Sequence, residues 1–317
     1  MNFLVTGGSG YIGSVFVEVA TAAGHRCLVI DRLPALTSLP STAAQHQQFY
    51  LGTDPLTAEL VARVKEFQPH AVHHFAAISA VVGVAATAYQ ENITSTEALL
   101  TILATAAPNA TLIFASTCAV FGNAASVSDI NSPHAPVSEY GRSKSQCEEL
   151  LQASSQPLVI MRYTNVGGAT VQHGEQRQHE THLIPNLIDA ALHDQPVTVF
   201  GQGLATRDGT YERDYVHVLD IVNAHLLASA NCADRQGKQH TFHLGNGTPH
   251  SNLEVVRSVE RVCATTLKVR RAPSRPGDAL AVSLDHHHAH TMLGFHPQYP
   301  QLDAIVHSTY LYRRCRN

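Results

Sequence analysis

The hexapeptide EYGRSK, Glu139 to Lys144, holds a tyrosine and a lysine four residues apart. On a helix this spacing places both side chains on one face, with Cβ atoms about 5–6 Å apart. A nearby ammonium favours the phenolate form of tyrosine and lowers a pKa that is ordinarily about 10. Tyr140 can then act as a general base, with Lys144 tuning its charge. The spacing is common by chance, so its meaning depends on residues upstream.

A second hydroxyl is expected beside this pair. A predicted strand ends in Ser116-Thr117, and residues just past the C-terminal end of a parallel strand border the ligand crevice. Either Ser116 or Thr117 therefore supplies a hydroxyl next to Tyr140. Such a trio suits proton removal from a sugar or alcohol hydroxyl during hydride transfer. The adjacent Cys118 is interpreted as a small packed residue.

The segment TGGSGYIG, residues 6–13, follows a predicted strand and opens a predicted helix. Gly8, Gly10 and Gly13 fit G-x-G-x-x-G, while Gly7, Gly10 and Gly13 fit G-x-x-G-x-x-G. Glycines in this pattern allow a tight turn and close approach of the backbone to a pyrophosphate. The helix N-terminus offers free N–H groups to the same phosphates. The context predicts a dinucleotide site.

The acid that completes this signature is Asp31, at the end of the second predicted strand. Its carboxylate is expected to accept hydrogen bonds from the adenine-ribose hydroxyls, which favours NAD over NADP. The neighbouring Arg32 keeps NADP open, because an arginine can meet a 2′-phosphate.

The elements that position these residues alternate between strand and helix. Strands are predicted at residues 2–6, 26–30, 48–51, 71–75, 111–115 and 157–161. Helices are predicted at residues 11–23, 56–67, 83–107 and 139–153. This alternation predicts right-handed β-α-β units and an α/β fold with a doubly wound parallel sheet of the Rossmann type.

The rhythm changes after about residue 165. A polar loop over residues 167–181 precedes helices at 182–192, 217–230 and 252–264, with short β segments at 197–200 and 241–244. We therefore predict a dinucleotide-binding domain at residues 1–165. A smaller mixed α/β substrate domain follows at residues 166–317, with some segments returning to the first domain.

Composition excludes several classes of protein. The 317 residues are 44% hydrophobic and 15% charged, which argues against disorder. The net charge of −4 gives no basic field for nucleic acid or an anionic membrane. No apolar run reaches the roughly 20 residues that span a bilayer. No secretory signal begins the sequence, and the six cysteines form no C-x-x-C pair. These features predict reduced thiols and a cytoplasmic location.

Four of the 21 histidines cluster at residues 286–290. His286 and His290 have i,i+4 spacing, which permits a shared metal. The preferred interpretation is a solvated first helical turn with Asp285 as N-cap, because no further ligand is positioned by spacing. No metal site is predicted.

Taken together, these segments resemble the extended short-chain dehydrogenase/reductase family, and within it the UDP-glucose 4-epimerases. The resemblance covers nearly the whole chain. It rests on TGGSGYIGS (6–14), HHFAAISAV (73–81), IFASTCAVFG (113–122), EYGRSK, MRYTNVGGA (161–169), the long segment VFGQGLATRDGTYERDYVHVLDIVNAHLLA (199–228) and SRPGDA (274–279). The DGTYERDYVHVLD portion is far more specific than either dinucleotide signature.

The resemblance implies roles for the matching positions. The implied catalytic residues are Thr117, Tyr140 and Lys144. The implied NAD contacts are Gly7, Gly10, Tyr11, Ile12, Gly13, Asp31, Arg32, Asp54, Phe75, Ala76, Ala77, Asn92, Tyr140, Lys144 and Tyr163. The implied nucleotide-sugar contacts are Thr117, Asn165, His182, Leu183, Arg213, Arg275 and Asp278. Arginine also suits a diphosphate on chemical grounds.

The resemblance further implies a redox-neutral reaction. Tyr140 takes the proton of the sugar 4-hydroxyl, a transient 4-keto sugar turns in the site, and carbon 4 is inverted, so that UDP-galactose becomes UDP-glucose. NAD is expected to stay bound throughout. A homodimer is implied, with an interface on the long helices at residues 83–107 and 139–153.

Some positions depart from the family pattern. Ser79 replaces a frequent lysine, Thr164 replaces an aromatic residue, and His182 replaces an asparagine. Val282 stands where a tyrosine or cysteine often limits the sugar pocket. The smaller side chain leaves room for a 2-acetamido sugar.

Other functions stay open. The alternatives are a UDP-N-acetylhexosamine 4-epimerase, a GDP-sugar 3,5-epimerase/reductase, or a non-catalytic NAD-binding relative. A 4,6-dehydratase would need an acidic pair after Thr117, where this chain has Cys118-Ala119. The reductase would consume NADPH and need a cysteine two positions after Thr117, whereas Cys118 is one position after it.

Overall fold

The computed structural model describes residues 1–36, 43–79, 86–123, 127–176, 180–231, 239–274 and 279–316. Its helices are α1 (Tyr11–Ala22), α2 (Ala58–Phe67), α3 (Ala86–Ala106), α4 (Glu139–Gln152), α5 (Leu183–His193), α6 (Val218–Asn231), α7 (Asn252–Cys263), α8 (His287–Leu293) and α9 (Leu302–Arg314). Its strands are β1 (Asn2–Thr6), β2 (Arg26–Asp31), β3 (Ala44–Gln48), β4 (Ala71–His74), β5 (Thr111–Thr117), β6 (Leu158–Tyr163), β7 (Asn165–Gly167), β8 (Val197–Phe200), β9 (Glu212–His217), β10 (Gln239–Leu244), β11 (Pro249–Ser251), β12 (Val269–Ala272) and β13 (Ala281–Val282). Within the described ranges, no helix has both the length and the apolar composition needed to cross a bilayer.

Seven strands form one parallel sheet in the order β10-β6-β5-β4-β1-β2-β3. The chain moves outward from β1 to β3 and then returns to β4 on the other side of β1. This reversal is the topological switch point of a doubly wound sheet, where a crevice opens at the carboxyl ends of the strands. The predicted Rossmann-type fold is confirmed.

Helices cover both faces of this sheet. Buried side chains of α2, α3 and α4, such as Val64 and Leu103, pack on one face. Those of α1, α6 and α8, such as Phe16 and Ile221, pack on the other. Each such side chain, when fully buried, contributes about 1.5–3 kcal/mol of hydrophobic free energy. The sheet between them is a rigid base for the residues at its edge.

The smaller part of the fold is a mixed α/β assembly. Strand β9 pairs antiparallel with β11 and parallel with β7 and β13, while β8 pairs with β12. Helices α5, α7 and α9 share a separate core that includes Ile188, Val255 and Ile305. This assembly lies beside the carboxyl edge of the large sheet, where the cavities described below open.

The structure corrects one predicted strand and locates a second. The third strand is Ala44–Gln48, not residues 48–51, because this edge strand is polar and only partly buried. The apolar residues that suggested 48–51 pack instead beneath α2 and α3. The segment predicted at 241–244 lies within β10, Gln239–Leu244, which pairs with β6 and is one of the segments that return to the large sheet.

Candidate active site

The glycine turn forms one wall of a cavity of about 170 Å³, here called the glycine-loop cavity. Residues 30–33, 49–51 and 75–78 and one side of α3 line the rest. Gly7 has a φ of +73°, and a Cβ there would lie 2.5 Å from the Ala76 nitrogen. A Cβ on Gly13 would lie 2.1 Å from the Gly7 carbonyl oxygen. Side chains at these positions would push apart the turn and the wall that faces it.

Helix α1 begins directly at this turn, and no side chain caps its N-terminus. The backbone N–H groups of a first turn need partners from outside the helix, and an anion supplies them. Tyr11 and Ile12, in this turn, face the neighbouring cavity. The turn is therefore an open cradle of the kind that holds a pyrophosphate.

Asp31 lies at the end of β2 and lines the glycine-loop cavity. Its two oxygens accept hydrogen bonds from the backbone N–H groups of Ser9, at 2.8 Å, and Leu33, at 2.9 Å. A carboxylate has about four acceptor positions, so two remain for ribose hydroxyls.

Arg32 is drawn aside by neighbouring side chains. Its guanidinium lies 5.3 Å from the ring centre of Tyr50 and donates to the Tyr50 hydroxyl at 3.3 Å. The Tyr50 hydroxyl in turn donates to Glu91, which also lines the cavity. A second carboxylate at this wall disfavours a 2′-phosphate by like-charge repulsion.

The loop after β4 forms the facing wall of the glycine-loop cavity. Phe75, Ala76 and Ala77 all line it. Asn92 binds both backbone groups of Ile78, accepting from its N–H at 2.7 Å and donating to its carbonyl at 3.1 Å. This pairing fixes the loop against α3.

Asp54 is placed differently from the other predicted cofactor contacts. Its side chain is exposed and accepts from the Tyr50 N–H at 2.7 Å. Tyr50 and Leu51 line the cavity in its place.

A larger cavity of about 910 Å³, here called the tyrosine cavity, opens next to the first. It is lined by Thr117, Tyr140 and Tyr163, by residues 164–168, 180–186 and 195–198, and by parts of β9 and β13. The two cavities adjoin at the loop after β4, where Ile78 lines one and Ser79 lines the other.

Tyr140 reaches this cavity from the first turn of α4. The Ser138 hydroxyl caps the helix by accepting from the Gly141 N–H at 3.0 Å. A Cβ on Gly141 would lie 2.5 Å from the Ala119 carbonyl oxygen. The glycine therefore lets α4 lie close to the segment after β5, and Tyr140 and Thr117 line the same cavity.

Of the two hydroxyls considered, that of Thr117 is the freer. Its oxygen accepts from the Ala119 N–H at 3.2 Å, and its side chain also bonds the Cys118 thiol, a weaker partner than a carboxylate. Ser116 donates its own proton to the buried carboxylate of Glu148.

Lys144 lies one turn after Tyr140 and is 2% exposed. Its ammonium donates to the Ala115 carbonyl at 2.7 Å and lies 4.4 Å from the ring centre of Phe114. Burial lowers the pKa of Lys144 to about 8, opposed by the nearby Cys147 and Glu148. The group is a buried cation held at the end of β5.

The predicted sugar-side residues that the structure describes meet in the tyrosine cavity. They are Asn165, His182, Leu183 and Arg213. His182 is the N-cap residue of α5, and its Nδ1 lies 3.0 Å from Glu180. Arg275 and Asp278 lie outside the described residues.

Several lining residues were missed by the sequence analysis. Thr198 and Phe200 of β8, with Tyr211 and Asn252, form the far end of the tyrosine cavity. Phe200, in the VFGQG part of the segment 199–228, was the one residue here whose motif the sequence could have flagged. Only the folded chain shows that it lines this wall.

The positions that depart from the family pattern also lie here. Ser79, Thr164, Val282 and Cys118 line the tyrosine cavity. Burial raises the pKa of the Cys118 thiol to about 11, so it stays protonated at neutral pH.

The histidine run differs slightly from the prediction. His286, not Asp285, is the N-cap residue of α8, and Asp285 accepts from the His287 N–H at 2.8 Å. Among the residues with described positions, no group of three or more potential ligands could hold a metal ion.

The fold and these cavities define a class: doubly wound α/β enzymes with a dinucleotide-type glycine turn and a threonine, tyrosine and lysine beside it. Residues 3–245 match the model of the NAD dependent epimerase/dehydratase family. The chain belongs to this family.

Within this family, the chain is similar to several UDP-glucose 4-epimerases. It is 34% identical to a UDP-glucose 4-epimerase of Rhizobium meliloti, over 100% of this chain and 98% of the relative. It is similar to the solved UDP-glucose-4-epimerase of Stenotrophomonas maltophila, crystallised with NAD and formylated UDP-arabinopyranose. The TM-score is 0.89 at 28% identity, covering 100% of this chain and 98% of the other. The Bifidobacterium longum UDP-glucose 4-epimerase, solved with NAD+ and UDP, gives a TM-score of 0.90 at 25% identity, with 99% and 98% coverage.

Proposed function

We propose that this protein is an NAD-dependent UDP-hexose 4-epimerase that interconverts UDP-galactose and UDP-glucose. The observation that carries the proposal is the meeting of Thr117, Tyr140 and Tyr163 in one cavity, with Lys144 buried behind them. The full-length similarity to UDP-glucose 4-epimerases supports the same reaction.

The residues present fit NAD. The bare N-terminus of α1 and the close-packed glycine turn would hold the pyrophosphate, and Asp31 would accept from the adenine ribose. The loop of Phe75 to Ala77 would line the same site, with Tyr163 and Lys144 near the nicotinamide end. When bound, the nicotinamide would supply an acceptor for the hydride of sugar carbon 4 and then the donor that returns it to the opposite face of the 4-keto sugar.

Tyr140 is proposed to take the proton of the sugar 4-hydroxyl and to return it after the 4-keto sugar has turned. The Thr117 hydroxyl donates to or accepts from the same oxygen and aligns it with Tyr140. Lys144 supplies the positive charge that favours the phenolate. None of these three residues is changed at the end of the reaction.

The nucleotide sugar is assigned to the part of the chain after residue 165. Arg213 offers a guanidinium to the diphosphate, and Asn165, His182 and Leu183 form its surroundings. Arg275 and Asp278 are proposed to complete this site.

The test is to incubate purified protein with UDP-galactose, without added cofactor, and to follow the anomeric proton by NMR. Appearance of UDP-glucose supports epimerisation with retained NAD. No conversion, even after NAD is added, contradicts the proposal, and UDP-N-acetylhexosamines and GDP-sugars are then assayed in turn.

We also propose a cytoplasmic homodimer whose interface involves α3 and α4. The two helices pack against each other on one face of the large sheet. The family resemblance implies a dimer interface on these helices. Light scattering after size exclusion tests the dimer, and a monomer across micromolar concentrations would contradict it.

A further inference from the structure

Two histidines lie against each other in the core behind the tyrosine cavity. His73 is in β4 and His225 is in α6, and neither is exposed. Their Nδ1 atoms are 3.1 Å apart. The proposed function gives neither residue a role, so the pair needs its own explanation.

The surroundings of the pair keep both rings neutral. Phe16 and Phe75 pack against them, with ring centres 4.0 Å from His73 and 4.6 Å from His225 respectively. Burial holds the pKa of His73 well below its ordinary value and lowers that of His225 to about 3. A neutral imidazole has one N–H donor and one bare nitrogen acceptor.

Ser229 determines which nitrogen of His73 carries the proton. Its hydroxyl lies 3.0 Å from the carbonyl oxygen of His225, which can only accept, so the serine proton points there. The same hydroxyl oxygen lies 3.1 Å from Nε2 of His73. With its only proton already used, Ser229 must accept, and His73 is therefore protonated on Nε2.

The tautomer of His73 in turn determines that of His225. Because Nδ1 of His73 is bare, Nδ1 of His225 must donate to it, which leaves Nε2 of His225 bare. That nitrogen lies 3.5 Å from the Tyr163 hydroxyl. Burial, with a contribution from Tyr140, raises the pKa of Tyr163, so its hydroxyl keeps a proton to donate.

We propose that His225, with its tautomer fixed by His73 and Ser229, is a positioning residue that binds the Tyr163 hydroxyl proton and orients this tyrosine in the active site. The inference rests on the proposed function for its catalytic consequence. Tyr163 then faces the cavity with its ring and its hydroxyl oxygen, while the hydroxyl proton points away from the cavity toward His225. Tyr140 is left as the tyrosine that exchanges a proton with the substrate.

The first test reads the tautomers directly and needs no turnover. Protein labelled with ¹⁵N-histidine is recorded in long-range ¹H–¹⁵N spectra, with His73→Gln and His225→Gln variants assigning the two rings. We expect His73 protonated on Nε2 and His225 on Nδ1. The opposite pattern, or a doubly protonated ring at neutral pH, overturns the proposal whatever the activity is.

The second test asks whether the series of hydrogen bonds from Ser229 to Tyr163 matters for catalysis. Ser229→Ala removes the group that selects the tautomers, and Ser258→Ala, another buried helix serine, is the matched control. We expect Ser229→Ala to convert part of His225 to the Nε2–H form and to lower kcat by about threefold to tenfold, the size of one buried hydrogen bond, with KM and bound NAD unchanged. Equal kcat in both variants contradicts a catalytic role.

A pair of variants at His225 separates positioning from packing. Gln can still accept from Tyr163, whereas Leu fills similar space without an acceptor. We expect His225→Gln to keep most of the kcat that His225→Leu loses. Equal loss in both variants would assign the residue to packing alone. If the wild type epimerises no UDP-sugar, the proposed function fails while the tautomer spectra still test the chain of contacts.

Discussion

Tyr140 and Tyr163 lie in the same cavity, yet their surroundings prepare them for different tasks. Tyr140 stands at the start of a helix, half-buried, with a buried ammonium one turn behind it. Tyr163 ends strand β6, and its hydroxyl lies 3.5 Å from the neutral imidazole of His225. A phenol beside a cation loses its proton more readily than one buried among apolar groups. On this argument the environment, not the residue type, distinguishes the two tyrosines, and we propose Tyr140 as the base.

Tyr140→Phe tests that selection. We expect kcat for UDP-galactose to fall about 10²- to 10⁴-fold, because general base catalysis contributes this much. Retained NAD, measured by absorbance after denaturation, should be unchanged. Tyr310→Phe, partly buried against the core of the smaller assembly, is the control and should keep full activity. Substantial turnover by the Tyr140 variant would remove its assigned role.

The spacing of Tyr140 and Lys144 could be predicted because helical periodicity is local. Asp31 was likewise predictable from its place after an apolar strand. The partners of these side chains were not. His225 is 62 positions from Tyr163, and only the packing of α6 on the sheet brings the two together.

Asp214 is a residue whose importance the sequence did not indicate. It is fully buried on β9 and accepts from the N–H groups of Asn246, at 3.1 Å, and Gly247, at 3.0 Å. Burial outweighs these bonds and raises the pKa of its carboxyl to about 7. The folded state therefore binds its proton more tightly than the unfolded chain, in which the pKa is about 3.9.

The sign of the resulting pH dependence follows from linkage. This group's contribution is complete below about pH 4 and is lost as the pH rises to about 7. Asp214→Asn should lack this loss, so its unfolding free energy relative to wild type should improve between about pH 5 and pH 8. Urea unfolding at both pH values measures the difference. Parallel curves for the two proteins would contradict the raised pKa. The control is Asp303→Asn. The Arg261 hydrogen bond and charge lower the pKa of the Asp303 carboxyl, so its replacement should show no such gain.

At the scale of elements, the N-terminus of α4 is the part of this helix that positions Tyr140. Ser138 satisfies one N–H of the first turn, and that turn carries Tyr140. Helix α7 begins in a similar way at Ser251, within a capping box with Glu254. Its first residue, Asn252, lines the far end of the tyrosine cavity, but the helix carries none of the three proposed catalytic residues. The two caps thus differ in what their helices carry.

Ser138→Ala and Ser251→Ala form a matched pair. Each should lower the unfolding free energy by about 1 kcal/mol, because an N-cap hydrogen bond is lost. Only Ser138→Ala should also lower kcat, since fraying of its helix displaces Tyr140. Thermal unfolding and UDP-galactose turnover are the two measurements. Equal kcat losses in both variants would show that the effect is one of global stability.

Elements with strong apolar patterns could be predicted, and those defined by long-range pairing could not. Strands β1, β2, β5 and β6 are buried and contain apolar runs. Strand β4 is equally buried, although two of its four residues are histidines. Strand β3 is an edge strand made mostly of polar residues, so it has no apolar pattern from which a strand could be predicted. Strand β10 was found as a strand, but its place beside β6 depends on the return of the chain across the sheet.

At the scale of the molecule, the tyrosine cavity is built by both parts of the fold. The large sheet contributes Thr117 and Tyr163, while β9 and the segment before α5 contribute Arg213 and His182. Direct bonds already join the parts, since the Tyr11 hydroxyl donates to the Gly168 carbonyl at 2.5 Å. A nucleotide sugar in this cavity would add a further link.

Binding of UDP alone should therefore stabilise the whole chain. At a concentration of about 100 Kd, a ligand that binds only the folded state adds about 2.7 kcal/mol to the unfolding free energy. Arg213 lines the cavity, with its guanidinium 5.1 Å from the ring centre of Tyr211 and one donor on the Glu212 carbonyl. Its remaining donors suit a diphosphate.

Arg213→Gln should weaken UDP binding about 10- to 100-fold, because a charge-assisted hydrogen bond is lost, and should remove most of the rise in Tm. Arg207→Gln is the control. Arg207 is exposed, belongs to the same segment and bonds Glu212 and Glu254 outside the cavity. Thermal unfolding with increasing UDP compares the two variants with wild type. If both variants keep the full shift, the diphosphate lies elsewhere, and the assignment of the second half of the chain to the nucleotide sugar fails with it.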